Sequence, residues 1–206
     1  MRFDEYPSQT LMDITPRPPL VFVRGEGSWL WDHEGTKYLD FVQGWAVNCL
    51  GHCPPEIVAA LNEQASTLIT PSPAFYNEPA LDLAARIVRH SVMQQVFFAN
   101  SGAEANEGAI KLCRRYSREK FGEGRHKILC ARNSFHGRTI ATLSATGQEK
   151  FWQGFEPLLP GFAFVPYNDL AAMEAAIDPE TCAILVEPVQ GEGGVKIPSP
   201  DYLSGL

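Results

Sequence analysis

Residues 127–139 read Lys-Ile-Leu-Cys-Ala-Arg-Asn-Ser-Phe-His-Gly-Arg-Thr, an apolar run that passes directly into a polar segment with a glycine. The continuous apolar character of Lys127–Ala131 predicts a strand buried on both faces, because a half-exposed strand alternates polar and apolar residues. The same pattern recurs in three other segments, at residues 95–99, 163–167 and 182–186. Helical spacing separates these strands at residues 102–121 and 169–177. Strands that alternate with helices predict an α/β fold, with a mostly parallel sheet that has helices on both faces.

The two ends of the chain have other patterns. Prolines punctuate residues 7–19 and predict an extended arm, while β-prone runs over residues 20–41, separated by glycine-containing turns, predict a small antiparallel meander. Further helices are predicted at residues 54–68 and 79–90. Near the C-terminus, Ser199 is predicted to be the N-cap of a helix, but only five residues follow Asp201. We therefore expect the sequence to be cut within a larger domain.

Composition indicates a soluble protein that folds. The chain has 206 residues, of which 45% are hydrophobic, and its 17 basic and 24 acidic residues give a formal net charge of −7. The acidic balance argues against a nucleic-acid partner, and no apolar run approaches the roughly 20 residues that span a bilayer. The N-terminus lacks the layout of a signal peptide, and five cysteines give no disulfide framework. These features predict a cytoplasmic protein without a membrane partner.

The first candidate site follows the predicted strand at residues 95–99. Ser101 and Glu104 have the spacing of a capping box, and Gly102 allows close approach of a ligand to the helix N-terminus. Unpaired amides and the positive end of the helix dipole form a ready site for phosphate. A well-capped helix without a ligand explains the same residues. A dehydrogenase-like domain would need a glycine-rich turn after its first strand, which is not evident.

Two further candidate sites follow predicted strands. In the segment at residues 133–139, Phe135 and His136 are suited to covering a planar ring, and Arg138 to binding a carboxylate bidentately. The segment at residues 187–194 places Glu187, a glutamine and Glu192 on a glycine-rich loop suited to amines or to a cofactor. A loop with Phe135 against the core and a solvated Arg138, or a plain surface turn, remain the alternatives. No ligand set has zinc-like spacing, so we predict no metal site.

Together and in this order, the motifs resemble those of class III aminotransferases, which use pyridoxal 5′-phosphate. Within that family the likeness is greatest to the acetylornithine, ornithine and succinylornithine group. The matching segments cover essentially the whole chain and are residues 35–41, 48–52, 75–79, 98–106, 135–139 and 187–192. The resemblance implies a fold-type I large domain over residues 46–206, incomplete at its C-terminal end. Residues 1–45 would be an N-terminal arm and the β segment of the small domain.

The resemblance also implies roles for individual residues. The backbone amides of Gly102 and Ala103 would hold the cofactor phosphate, and Phe135 would stack on the pyridine ring. Arg138 would bind the α-carboxylate of the amino donor, and Glu192 would help to choose between donors. Three residues would support these contacts from behind, namely Ser101, His136 and Glu187.

The resemblance implies a transfer of the terminal amine of N-acetylornithine to 2-oxoglutarate, a step of arginine biosynthesis. Ornithine or succinylornithine is the alternative donor. The full-length enzyme would be a homodimer, in which residues 75–79 of one subunit approach the active site of the other. The Schiff-base lysine lies in a family region beyond Leu206, and none of the six lysines here replaces it. We therefore expect no catalytic residue within this chain, weak cofactor binding at best and no transamination. A truncated chain that binds a ligand or partner without turnover is the other interpretation.

Overall fold

The computed structural model describes residues 3–206 and divides into two compact units, residues up to Leu83 and residues from Ala84 onward. The predicted domain boundary between residues 45 and 46 refers to the domains of the resembled family and stays a prediction. Within residues 3–206, the helices are all too short or too polar to cross a membrane.

The first unit contains the predicted antiparallel meander. Three strands pair in sequence order, namely β1 (Phe22–Glu26), β2 (Trp29–Asp32) and β3 (Lys37–Leu39). Short 3-10 turns at Phe3–Glu5 and Ser8–Thr10 precede them, and a single helical turn, α1 (Gln43–Ala46), follows. The imidazole Nε2 of His52 lies 2.7 Å from Oδ2 of Asp40. This pairing ties the segment after α1 to the end of the meander.

Two helices confirm the periodicity of residues 54–68 and 79–90. The helix α2 spans Pro55–Thr67, and α3 spans Glu78–Arg89 across the division between the units. Neither helix has a buried residue. The apolar side chains that predicted them, such as Leu61 and Leu81, are exposed in the described chain.

The second unit is built on a three-stranded parallel sheet. Its strands are β4 (Lys127–Ala131), β5 (Phe162–Val165) and β6 (Thr181–Leu185), in the spatial order β5-β4-β6. The central strand β4 is the most buried of the three, and Ile128, Leu129 and Cys130 are completely buried. The prediction of a parallel sheet from continuous apolar runs is confirmed.

Helices cover both faces of this sheet, as predicted. Ile128 and Cys130 point to one face, where they pack with Ile110 of α4 (Gly102–Phe121) and two alanines of α5 (Ile140–Ala145). Leu129 points to the other face and packs with Met173 of α6 (Leu170–Ala176). Alternate residues of β4 thus hold two separate apolar layers, which explains why this strand has no polar side chain in its interior.

Residues 95–99 do not form a strand, contrary to the prediction. A strand needs a neighbouring strand to accept and donate its backbone hydrogen bonds, and none of those in residues 3–206 pairs with this segment. Phe97 is 71% exposed, but its ring contacts α4 beside Gly108, where a Cβ would lie only 2.8 Å from the ring. Apart from this ring contact, the apolar run is mostly exposed in the described chain.

Two helix predictions also need correction. The helix α5 was not predicted, because Ile140–Ala145 is short and follows a motif that suggested a loop. At the C-terminal end, α7 spans Tyr202–Gly205 with Asp201 at its N-cap, and Ser199 is not the cap. The hydroxyl of Ser199 instead lies 2.9 Å from Oδ1 of Asn168, which satisfies it outside the helix.

Candidate active site

The first turn of α4 presents free backbone donors. The hydroxyl of Ser101 accepts a hydrogen bond from the amide of Glu104 at 3.2 Å, which confirms Ser101 as the N-cap. The Glu104 carboxylate accepts from the amide of Asn100 at 2.6 Å rather than from that of Ser101. The amides of Gly102 and Ala103 have no acceptor within residues 3–206, and the space around Gly102 is open. This helix N-terminus therefore fits a phosphate or another anion.

Side chains of α4 hold the loop that follows β4. The amide Nδ2 of Asn106 donates to the carbonyl oxygen of His136 at 2.8 Å. The carboxylate of the next helix residue, Glu107, accepts from the hydroxyl of Thr139 at 2.5 Å. Thr139 is also the N-cap of α5, where it forms a capping box with Thr142. The first and second sequence motifs are thus locked together by hydrogen bonds from successive residues of one helix.

Phe135 lies where the second and third motifs meet. Its backbone amide donates to Oε2 of Glu187 at 3.1 Å, and Oε1 of the same carboxylate accepts from the amide of Gly191 at 3.3 Å. The Phe135 ring is half-buried and meets the ring of Phe151 edge to face, with 5.6 Å between centroids. Glu187 therefore positions the loop that carries Phe135, and its support of a cofactor contact stays a prediction.

His136 is a buried and neutral part of the loop. Its backbone amide donates to the Thr146 hydroxyl at 3.0 Å, and its side chain is only 5% exposed. Burial lowers the pKa of His136 to about 4, because the charged imidazolium is poorly solvated there. Its Nε2 has no hydrogen-bond partner in the described chain. The buried imidazole is therefore neutral at neutral pH.

Arg138 is exposed and available to a ligand. Within residues 3–206 no carboxylate forms an ion pair with its guanidinium, which instead lies 5.6 Å from the centroid of the Phe151 ring. A guanidinium that rests on an aromatic ring keeps its planar edge free for a carboxylate. The structure places Phe135 and Arg138 around one ring that sequence reasoning missed.

Glu192 has partners that the sequence did not suggest. Its Oε2 accepts from Nε2 of Gln148 at 2.7 Å, and its Oε1 lies 3.5 Å from Nζ of Lys150. Both partners come from the segment after α5, which also carries Phe151. The Thr-x-x-Thr spacing of Thr139 and Thr142 is the sequence signal that could have predicted the start of α5. A helix there would have indicated that the following segment folds back toward the site.

A buried glutamine joins the loops from inside. Gln190 is fully buried, and its Nε2 donates to the carbonyl oxygen of Arg132 at 2.9 Å. Its backbone pairs with Lys196 in an isolated antiparallel bridge. The sequence indicates only that Gln190 is a polar loop residue. In the structure its side chain connects the loop after β6 to the loop after β4.

The arrangement collects distinct chemical groups at the carboxyl ends of β4 and β6 and the N-terminus of α4. It offers free amides for an anion, an aromatic wall, a free guanidinium and a carboxylate held by two donors. Among residues 3–206 no group of His, Cys, Asp or Glu side chains is suited to a metal ion. The described groups can bind an anionic planar ligand beside a carboxylate-bearing one.

Comparison with known protein families gives a match over most of the chain. Residues 13–206 match the family described as aminotransferase class-III. The sequence is 53% identical over 206 residues to acetylornithine aminotransferase 2 of Bordetella bronchiseptica, covering 100% of this chain and 52% of that protein. It is 53% identical over 201 residues to acetylornithine aminotransferase of Caldanaerobacter subterraneus, covering 98% of this chain and 51% of that protein. The chain thus spans about half the length of the curated relatives it matches.

Solved structures resemble this fold over about half of their own length. An ornithine aminotransferase from Toxoplasma gondii superposes with a TM-score of 0.89 at 33% identity, over 96% of this chain and 48% of that one. An acetylornithine aminotransferase from Elizabethkingia anophelis gives a TM-score of 0.79 at 37% identity, over 98% of this chain and 48% of that one. These similarities confirm the predicted family and the fold-type I class.

Proposed function

Because the chain belongs to the class-III aminotransferases, we propose that it forms the N-terminal part of an enzyme acting on N-acetylornithine. That enzyme moves the terminal amine of the donor to 2-oxoglutarate, with pyridoxal 5′-phosphate as cofactor, in arginine biosynthesis. The observation that carries this proposal is the joining of three motifs around Phe135, with the free amides of α4, the Arg138 guanidinium and Glu192 nearby.

The residues present fit the cofactor. The amides of Gly102 and Ala103 are free to bind a phosphate dianion, and Ser101 and Glu104 stabilise the helix turn that presents them. Phe135 offers a half-buried ring to a planar heterocycle. Pyridoxal phosphate supplies an electron sink for the carbon that loses its proton. The chain contributes binding and orientation to this chemistry, and His136 and Glu187 keep the Phe135 loop in place.

Arg138 is proposed to bind the end of the amino donor that lies away from the reacting amine. A guanidinium without a protein carboxylate is suited to the α-carboxylate of an amino acid, which would leave the terminal amine facing the cofactor. Ornithine as donor is the second candidate, because a solved ornithine aminotransferase superposes on 96% of this chain. Succinylornithine stays a further alternative, since it shares the same carboxylate and terminal amine.

The complete enzyme is proposed to be a cytoplasmic homodimer, with residues 75–79 approaching the partner's active site. The chain of 206 residues is about half the length of its relatives, and its own lysines supply no clear cofactor attachment. We therefore propose that these 206 residues alone do not transaminate. Binding of ligand or a partner chain without turnover is the activity that would remain to them.

Donor preference in the full-length protein tests this proposal. The coding DNA is read past the codon for Leu206, and the longer product is purified and assayed with 2-oxoglutarate. We expect kcat/KM for N-acetylornithine to exceed the values for ornithine and succinylornithine. A strong preference for another amine would contradict the choice of donor, and activity on no amine would contradict the enzymatic proposal.

A further inference from the structure

Gln148 lies at the junction of two loops of the candidate site. Its Nε2 lies 2.7 Å from Oε2 of Glu192, 3.2 Å from the carbonyl oxygen of Ser134 and 3.4 Å from that of Asn133. The amide has two hydrogens, so the shortest contact, to the charged carboxylate, takes one of them and the two carbonyl groups share the other. One side chain therefore connects the loop after β4 to the acidic residue of the loop after β6.

The surroundings of this contact form a charged and aromatic cluster. The other oxygen of Glu192 lies 3.5 Å from Nζ of Lys150, which is itself 4.7 Å from the Phe151 ring centroid. Arg138 lies 5.6 Å from the same centroid, and Phe135 meets the same ring edge to face. The Glu192 carboxylate is thus held close to the groups proposed to bind the cofactor and the donor carboxylate.

We propose that Gln148 is a positioning residue that fixes the Glu192 carboxylate and thereby sets the preference between acylated and free amino donors. This inference rests on the proposed function, because it assumes that Arg138 binds the α-carboxylate of the donor. It also assigns the α-nitrogen, which is attached to the same carbon as that carboxylate, to the side of the donor that faces Glu192. The hydrogen bond from Gln148 and the positive charge of Lys150 together weaken the negative potential that the nitrogen meets.

The charge of the α-nitrogen gives the effect its direction. Ornithine carries an ammonium at this position, whereas N-acetylornithine carries a neutral amide. A Glu192 carboxylate that already accepts hydrogen bonds from Gln148 and Lys150 attracts an ammonium less strongly than a free carboxylate does. Loss of the Gln148 amide therefore favours ornithine, and the change appears in KM for ornithine rather than in kcat.

The experiment uses the full-length enzyme and the ratio of kcat/KM for N-acetylornithine to that for ornithine. For Gln148→Leu we expect this ratio to fall about fivefold, a modest effect because Glu192 is partly exposed. In a Glu192→Gln background, Gln148→Leu should leave the ratio unchanged. Gln148→Lys, which still donates a hydrogen bond, should keep the ratio at or above the wild-type value. The matched control is Gln153→Leu, at an exposed glutamine without a hydrogen bond in the described chain.

Three outcomes overturn the inference: an unchanged ratio in Gln148→Leu, an equal fall in the Glu192→Gln background, or a change confined to kcat. A double-mutant cycle on the melting temperature of the same proteins gives a readout that needs no activity. Non-additive effects of Gln148→Leu and Glu192→Gln support the contact, and additive effects overturn it. If the wild-type enzyme uses neither amine, the proposed function has failed, while the melting cycle still decides whether Gln148 holds Glu192.

Discussion

Gly137 brings the backbone of the loop after β4 close to the first turn of α4. Its φ is +131°, and a Cβ at this position would lie 2.7 Å from the Thr142 hydroxyl oxygen and 2.8 Å from the Ala103 Cβ. We expect Gly137→Ala to lower the free energy of unfolding by about 3 kcal/mol, because it combines backbone strain with an overlap against packed atoms. Chemical denaturation of the two proteins measures this difference.

Gly102→Ala is the matched control for Gly137. No atom lies within 4 Å of a Cβ built at Gly102, and its φ is not left-handed. Its free energy of unfolding should change by less than about 1 kcal/mol. Equal effects of the two substitutions would contradict the account of Gly137 as a contact between the loop and the helix.

His136 gives the stability of the protein a defined pH dependence. Burial lowers the pKa of His136 from 6.5 in the unfolded chain to about 4 in the folded one, so the folded state binds fewer protons between these values. Stability is therefore highest above pH 6.5 and falls as the pH drops toward 4. We expect this residue to reduce the free energy of unfolding by about 2 kcal/mol between pH 7 and pH 5.

The titration of His136 is measured directly by NMR on its ring protons. A resonance that titrates near the ordinary histidine pKa would contradict the burial argument. In denaturation experiments, His136→Gln should lose about 2 kcal/mol of this pH dependence. His90→Gln, at an exposed histidine, should retain it.

The predictable part of the site consists of residues within the motifs themselves. Phe135, Arg138 and Glu192 were proposed from residue chemistry and a family resemblance, and the structure brings them to one cluster. Their neighbours Gln148 and Phe151 were missed. These two reach the site through tertiary folding of a segment 13 to 16 residues further along the chain from Phe135, and no local periodicity reports such a return.

At the scale of elements, two substitutions of Ser101 distinguish the contribution of the α4 N-terminus to stability from its contribution to anion binding. Ser101→Ala removes the side-chain cap and should lower the free energy of unfolding by about 1 kcal/mol. Ser101→Asp retains a cap, so its stability should stay close to that of the wild type. Its added negative charge beside the Gly102 and Ala103 amides should weaken pyridoxal phosphate binding in the full-length enzyme about fivefold.

Denaturation curves and cofactor titrations of the Ser101 variants give the two measurements. If the phosphate binds elsewhere, Ser101→Asp leaves the cofactor affinity unchanged. If the cap contributes nothing, Ser101→Ala leaves the unfolding midpoint unchanged. The first result would contradict phosphate binding at this helix N-terminus, and the second would contradict the capping role of Ser101. Each result leaves the other conclusion standing.

Local sequence signals predicted elements well where the signal and the contact lie in the same segment. The helix α4 and the strand β4 have the predicted bounds, since a long periodic pattern and a fully apolar run each specify burial directly. Residues 95–99 carry the apolar run of a strand but have no paired neighbour here. Strand formation depends on a partner elsewhere in the chain, and a single run cannot report whether that partner is present.

At the scale of the whole molecule, the second unit presents free amides and an unpaired guanidinium, and the remaining question is whether one of its lysines could attach a cofactor. The six lysines are Lys37, Lys111, Lys120, Lys127, Lys150 and Lys196. Lys127 pairs with Asp178, and Lys111 lines a groove along α4 together with Phe97 and Phe98. Lys150 alone among them contacts the aromatic cluster at Phe151 and the Glu192 carboxylate.

Borohydride reduction tests the proposal that these 206 residues do not perform the reaction. The chain is incubated with pyridoxal phosphate, reduced, digested and mapped by mass spectrometry, and we expect no lysine to be labelled stoichiometrically. The full-length protein, treated identically, should carry one label on a lysine beyond Leu206. Stoichiometric label on Lys150, lost in Lys150→Arg and kept in Lys120→Arg, would instead show that the chain attaches its cofactor through the aromatic cluster.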